Sequence, residues 1–368
     1  MNKPKLELVS LRKEYDNGSV IAVEDIDLRV EAGETVALLG SSGCGKSTTL
    51  NMIVGLESPT SGDIQIDGKS VVAVPPGRRN VGLVFQDYAV FTSMTVRKNL
   101  AFGLEVRGKY VLEINRAVEE VAELLGMSDK LEARARDLGG SELQRVAIGR
   151  TLVTKPSILL LDEPLSNLET SARLAMRREL RRLQSEIGLT IIYVTHDQVE
   201  ALSLADRIAV MNAGRILQVE KTAVICANPG HTLVAGFLGS PPMNLVRGRF
   251  ESEGGEIRFT KGAFSMGMGQ GASVPGGYFT MGLRAESIRL VPREEAMLSG
   301  RVSLLEPRGP EAVLTVDVGL EKLKVIVPSD ARLIEGEEVG LAVDHESLHF
   351  FDGDSNRTTS LELAGRVF

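Results

Sequence analysis

The residues Gly40-Ser41-Ser42-Gly43-Cys44-Gly45-Lys46-Ser47 follow the spacing G-x-x-x-x-G-K-[ST]. Each type has a chemical reason. Glycines let the backbone curl until successive N–H groups point at phosphate oxygens. Lys46 supplies a cation to the outer phosphates, and the Ser47 hydroxyl is a ligand for Mg²⁺. A second element is Ile158-Leu-Leu-Leu-Asp162-Glu163, an apolar run ending in two carboxylates. A carboxylate at the tip of a buried strand beside a phosphate loop can hold Mg²⁺, directly or through water. The next one can polarise a water for in-line attack on a γ-phosphate. Asp162 is therefore the candidate metal ligand and Glu163 the candidate base.

Chemistry of this kind needs elements that aim the two segments at each other. Thr35–Leu39 reads as a strand buried on both faces, and a helix should start near Lys46. Pro59-Thr-Ser-Gly62 is a turn, and Ile64–Ile66 followed by Asp67-Gly68 reads as a hairpin. Val81–Phe85, Ile158–Leu161 and Ile191–Thr195 are further apolar strands. Between them, Ile114, Ala117, Val118, Val121, Leu124 and Leu125 share a helical face that stops at Gly126. Met176, Leu180, Leu183 and Ile187 share another that stops at Gly188. Strands alternating with helices predict a mostly parallel sheet covered on both faces. After Ser240-Pro-Pro-Met243 the pattern becomes short alternating runs: Glu256–Phe259, Val313–Val318, Lys322–Val327 and Val339–Val343. The fold class expected is an α/β P-loop domain over 1–240, with a helical subdomain at about 88–155. A small all-β, OB-like barrel follows over 241–368.

The 368 residues are too many for one ordinary domain and suit two. A net charge of −7 argues against nucleic acid as the main partner, since phosphodiester binding needs a basic face. Two cysteines, Cys44 and Cys226, do not make a disulfide scaffold and suggest a reducing compartment. The N-terminus has no apolar signal core, and no apolar run approaches the roughly 20 residues that span a bilayer. Work at a membrane would require docking onto another chain. Four scattered histidines give no metal-ligand spacing.

Four further segments, in this order, narrow the reading: Val84-Phe-Gln86, Gln144-Arg-Val-Ala-Ile148, Leu161-Asp-Glu-Pro-Leu-Ser-Asn-Leu168 and Val194-Thr-His196-Asp-Gln198. Together with the phosphate loop, this set resembles ABC transporter ATPases. The resemblance is very specific over 1–240 and extends over the whole chain. It implies ATP with Mg²⁺, bound along Gly40 to Thr48. It implies that Gln86 senses the metal and the attacking water, and that about Asp87 to Leu104 touches a transmembrane partner. It further implies that His196 holds the γ-phosphate and orients Glu163, which a neutral imidazole could do with its two nitrogens. Taken alone, His196 would read as a satisfied strand-end histidine. Tyr15 matches the aromatic that stacks on adenine, with a surface tyrosine as the plain alternative.

The resemblance also implies head-to-tail dimers, each ATP lying between one phosphate loop and a Leu-Ser-Gly-Gly-Gln segment of the other subunit. Here the chain departs. Leu138-Gly139-Gly140-Ser141-Glu142 keeps the length but moves the serine two places and replaces glutamine by glutamate. The helix dipole still faces the phosphate. Gly139 offers no hydroxyl, Ser141 substitutes in part if the backbone shifts, and Glu142 is unfavourable unless turned away or paired. Glu169 stands where aspartate is usual. Two readings follow: a slower homodimer, or pairing with a different ATPase. The completeness of the other catalytic parts leans toward the homodimer. A weakly hydrolysing structural or regulatory subunit is the further alternative.

The trailing β-domain resembles that of carbohydrate importers of the maltose and glycerol-3-phosphate types. Ala235 to Asn244, Gly282-Leu-Arg-Ala-Glu286 and Leu348-His-Phe-Phe-Asp352 match its landmarks, with Ala285 where proline is common. The partners implied are two membrane-spanning permease chains, a second ATPase subunit and, indirectly, an extracytoplasmic solute-binding protein. The place implied is the cytoplasmic face of the inner membrane, and the solute a sugar, polyol or glycerol phosphate.

Overall fold

A computed structural model describes residues 3–271, 274–363 and 366–367. The chain divides into two compact units, Met1–Thr222 and Ala223–Phe368.

In the first unit β1 (Leu6–Tyr15), β2 (Val20–Val30), β4 (Ser61–Ile66) and β5 (Lys69–Ser70) form an antiparallel sheet in the order β2-β1-β4-β5. A second sheet combines β3 (Thr35–Leu39), β6 (Val81–Val84), β7 (Ile158–Asp162), β8 (Thr190–Thr195), β9 (Arg207–Asn212) and β10 (Arg215–Lys221). Its order is β10-β9-β3-β8-β7-β6. All neighbours in it run parallel except β10 against β9. Alternation along the strands splits their side chains between two cores. Leu160 and Ile192 face α1 (Lys46–Val54) and the antiparallel sheet, with Leu6, Leu38, Leu50 and Ile53. Leu161 and Tyr193 face the other way, toward α2 (Val96–Val106), α3 (Val111–Leu124), α4 (Gly140–Leu152) and α5 (Thr170–Ile187). Val118, Ile148 and Leu180 meet them there. Ile187, placed by periodicity on the buried face of α5, lies at its exposed end instead.

Arg79 was not singled out by sequence, yet it fixes the far end of α1. Its buried guanidinium donates to Met52 O at 2.7 Å, Ile53 O at 3.1 Å and Val74 O at 2.7 Å. The first two are carbonyls of the last turn of α1, which a helix end leaves without partners, and the cation also suits the negative end of the dipole. Burial lowers the guanidinium's pKa.

The second unit contains two antiparallel five-stranded sheets, consistent with an OB-like β-domain. Phe250 meets Phe259, Phe279 and Phe350 at centroid distances of 5.2, 5.4 and 5.4 Å, edge-on or tilted, the arrangements aromatic rings prefer. Ala223–Ser240, ahead of the expected domain boundary, packs here: Ala235 touches Met243 and Phe351, and Arg284 donates to Leu238 O at 2.7 Å and Cys226 O at 2.5 Å. Asn244 ties the two sheets together. Its amide donates to Leu283 O at 3.1 Å and Lys324 O at 2.9 Å and accepts from Lys324 N at 2.7 Å. Asn244→Ala strands these buried groups, and is expected to lower the stability of this unit by about 2–3 kcal/mol. Thermal unfolding followed by circular dichroism checks it; an unchanged transition would refute the bridging role.

Candidate functional site

The site lies where four neighbouring parallel strands end. Register pairs Leu39 of β3 with Thr195 of β8, Val194 with Asp162 of β7, and Leu161 with Val84 of β6. The residues that follow each strand therefore emerge side by side: the phosphate loop from Gly40, His196, Glu163 and Gln86. Ligands in open parallel sheets bind beyond these carboxyl ends.

The loop geometry is enforced by its glycines. Gly45 has φ of 102°, and a Cβ there would lie 2.4 Å from Ala22 O. The loop delivers the chain into α1 at Lys46, as expected. Lys46 is 4% exposed and folds back over its own loop, Nζ donating to Gly40 O at 2.8 Å and Ser41 O at 2.9 Å. Ser41, Ser42 and Gly43 form the open rim, and Ser47 is exposed. Ser47 Oγ donates to Asp162 Oδ1 at 3.2 Å, joining the two motifs. Burial, with help from the Glu163 charge, raises the Asp162 pKa, while the Ser47 bond and Lys46 oppose it. A divalent cation beside Asp162 would reverse that cost. Among the described residues no group of three or more His, Cys, Asp or Glu forms a metal cage. Two oxygens, from Ser47 and Asp162, suit Mg²⁺, which keeps much of its shell for phosphate and water.

Glu163 sits at φ of 43°, a region costly for a residue with a Cβ. It is held there by its N–H donating to Val194 O at 3.0 Å and by Ser166, whose Oγ donates to its carbonyl at 2.9 Å. Glu163 Oε2 lies 3.1 Å from His196 Nδ1. If Nδ1–H donates to this carboxylate, donation to a phosphate as well requires both ring protons. Next to His196, Asp197 caps α6 (Gln198–Leu204), and buried Glu200 accepts from the Tyr193 and Thr195 hydroxyls at 2.9 Å, which fixes the end of β8 that leads into His196.

Gln86 lies on the exposed loop after β6, its carbonyl held by Asn167 Nδ2 at 2.9 Å. Sequence reasoning missed Asn167, whose role arises from contact across 81 residues of chain. Tyr15 ends β1, and its hydroxyl bonds to Glu57 Oε2. Burial, reinforced by Glu57, raises its pKa, and contact with Thr48 sets it beside the start of α1. Lys13 Nζ covers the ring at 4.9 Å from its centroid.

Gly139 caps α4 and Gly140 begins it, both exposed. Ser141 and Glu142 complete the first turn. Glu142 is both turned away and paired: Gly139 N–H donates to its Oε2 at 3.0 Å, and Lys130 Nζ lies 3.6 Å from Oε1. Lys130 carried no sequence signal. Glu169, at the head of α5, makes no capping bond with its side chain, where a shorter aspartate is a strong cap.

The ABC transporter family matches residues 23–166, and the TOBE domain family matches 281–351. The trehalose/maltose import ATP-binding protein MalK of Thermococcus litoralis is 42% identical, over 91% of this chain and 94% of the relative. The sn-glycerol-3-phosphate import ATP-binding protein UgpC of Rhizobium johnstonii is 38% identical, over 96% and 95%. The sulfoquinovosyl glycerol transport ATP-binding protein SmoE of Agrobacterium fabrum is 38% identical, over 95% and 99%. Among solved structures, cbiO1 of Clostridium perfringens, part of an ABC transporter complex, superposes with a TM-score of 0.58 at 30% identity. It covers 61% of this chain and 92% of its own. The likeness spans nearly the full length of these relatives and includes the phosphate loop and both acidic residues, so the chain belongs to the ABC transporter family as an ATP-binding transport ATPase.

Proposed function

We propose that the chain is the ATP-hydrolysing subunit of an importer for a small hydroxylated solute: a sugar, polyol or glycerol phosphate. The observation that carries this reading is the convergence of Lys46, Ser47, Asp162, the Glu163–His196 pair and Gln86 at adjacent strand ends. The solute class is taken from the names of the full-length relatives.

In this reading the backbone of Gly40 to Thr48 cradles the phosphates, with Lys46 as the cation and Tyr15 as the platform for adenine. Ser47, Asp162 and Gln86 hold Mg²⁺, whose contribution is to neutralise charge on the transferred phosphoryl group. Glu163 takes the proton of the attacking water. His196 positions Glu163 and contacts the γ-phosphate. Two ATPase subunits pack head to tail, each nucleotide closed by the segment of the other that corresponds to Leu138 to Glu142.

Among the described residues no helix is long and apolar enough to cross a membrane, so translocation falls to partner chains. Two permease chains would dock along Asp87 to Leu104, at the cytoplasmic face of the inner membrane, where a cavity of about 140 Å³ beside this segment has room for an inserted side chain. Phe85, Tyr88, Phe102 and Arg150 line it. A solute-binding protein outside the membrane would complete the assembly. The test is ATP hydrolysis by the purified full chain. Turnover is expected to vanish with EDTA and return with Mg²⁺, and Asp162→Asn is expected to raise the Mg²⁺ requirement about tenfold or more. Hydrolysis indifferent to EDTA would sink the reading.

A further inference from the structure

Glu163 and His196 come from two separate loops, and their contact at 3.1 Å requires those loops to stay in register. The Glu163 loop runs through Ser166 and Asn167 to Leu168, ahead of α5. The His196 loop joins β8 to α6. His196 itself is exposed, so its ring is not held by packing. One side chain touches both loops. Arg173, in the first turn of α5, donates from Nη2 to Leu168 O at 3.3 Å, where the Glu163 loop ends. Its Nη1 lies 3.7 Å from Asp197 Oδ2 and its Nε 3.9 Å from Glu200 Oε1. Asp197 follows His196 directly in the chain and caps α6. Glu200 is 3% exposed, and its other oxygen accepts from the two hydroxyls of β8.

A carboxylate so buried needs a counter-charge. Among the described residues, Arg173 is the one cation within ion-pair distance of Asp197 or Glu200. The separations of 3.7 and 3.9 Å exceed hydrogen-bond length, and the buried Nε makes no hydrogen bond. Charge and the planar fork of the guanidinium, not one tight bond, set its place. The loop it reaches also serves the rest of the site: Ser166 donates to the Glu163 carbonyl and Asn167 to the Gln86 carbonyl, each at 2.9 Å.

Resting on the roles proposed above for Glu163 and His196, we infer that Arg173 is a positioning residue for ATP hydrolysis. It ties the Glu163 loop, at Leu168, to the two carboxylates that anchor the His196 loop. Its effect on the reaction passes through those carboxylates and not through contact with nucleotide.

The test uses the full chain, with the partner subunit where turnover requires it, and separates turnover from binding and folding. Arg173→Met keeps the apolar stem and removes the charge. It is expected to lower kcat by about ten- to a hundredfold, the range for reacting groups displaced by about 1 Å. ATP affinity is expected to stay within about twofold, because the phosphate loop is untouched. Arg173→Lys restores the charge without the fork and should recover part of the loss. Arg173→Gln, also neutral, gives the same comparison should circular dichroism show that Arg173→Met does not fold. Glu200→Gln removes the charge that Arg173 faces while keeping an acceptor for the hydroxyls. Combined with Arg173→Met, it is expected to cost well short of the product of the two single losses in kcat, because both changes break one connection. Unchanged kcat in the neutral Arg173 variants, in a preparation where Glu163→Gln abolishes turnover, would overturn the inference and leave the base assignment standing. Multiplying losses in the double variant would overturn it too, since Arg173 would not act through Glu200. Turnover retained in Glu163→Gln would overturn the reading of the pair, and the inference with it.

Discussion

Glu163→Gln is expected to reduce ATP turnover by about a hundred- to ten-thousand-fold, the range for loss of a positioned general base. The change is conservative in shape. The glutamine amide can hydrogen-bond with His196 Nδ1, which lies 3.1 Å from the Glu163 carboxylate, in either tautomer, so the constellation keeps its geometry. What is lost is the ability to take a proton from water. ATP affinity, set by the loop and Lys46, should stay within about twofold, because the interaction removed is made in the transition state. Steady-state hydrolysis and equilibrium nucleotide binding, measured on the same preparation and with the partner subunit where turnover requires it, separate the two quantities. Full turnover in the variant would assign the base elsewhere. The strained φ of 43° at this residue supports the assignment, since such backbone persists where the surroundings hold a side chain in place.

Lys46→Ala acts on the other quantity. It is expected to weaken ATP binding by about a hundredfold, since a charge-assisted bond to phosphate contributes more than a neutral one. Nζ presently donates to Gly40 O and Ser41 O, so the cation is held in the loop without depending on ligand. Removing it also leaves those carbonyls without the lysine donor, and the loop should loosen. Lys46→Arg distinguishes the effects. It keeps the charge while its planar head fits poorly among backbone carbonyls, so stability recovers more than affinity does. Fluorescent nucleotide titration of the three proteins checks this. Unchanged affinity in Lys46→Ala would remove the loop from the nucleotide site.

Local signals carried much of the fold. Strand β3 is buried at every position and spans the limits its five apolar-rich residues suggest. Helix α1 begins at Lys46 because the glycines before it admit the backbone turns that feed a helix. Gly126 and Gly188 end their helical patterns with φ of 61° and 66°, as a residue without a Cβ allows. The antiparallel sheet was less legible. Its long first strand, Leu6–Tyr15, carries irregular register against β2, which blurs the two-residue alternation a strand needs to be recognised.

The sequence by itself nominated the residues for the chemistry: a glycine loop with Lys46 and Ser47, the carboxylates Asp162 and Glu163, and His196 in a context that sets it apart from an ordinary strand-end histidine. Residue type and spacing along each strand-to-helix connection suffice to nominate these residues, because a phosphate cradle is built from consecutive backbone groups. Tertiary structure decided what depends on contact between distant segments. It brought Asn167 to the Gln86 carbonyl, Arg79 to the end of α1, and Lys130 to Glu142. It also turned Glu142 back onto Gly139, so the charge that composition places at the head of α4 is spent within the chain. Such pairings leave no periodicity to read. They arise only when packing sets a particular cation or amide within reach of a particular carboxylate or carbonyl, and they decide which face of the protein remains open to a partner.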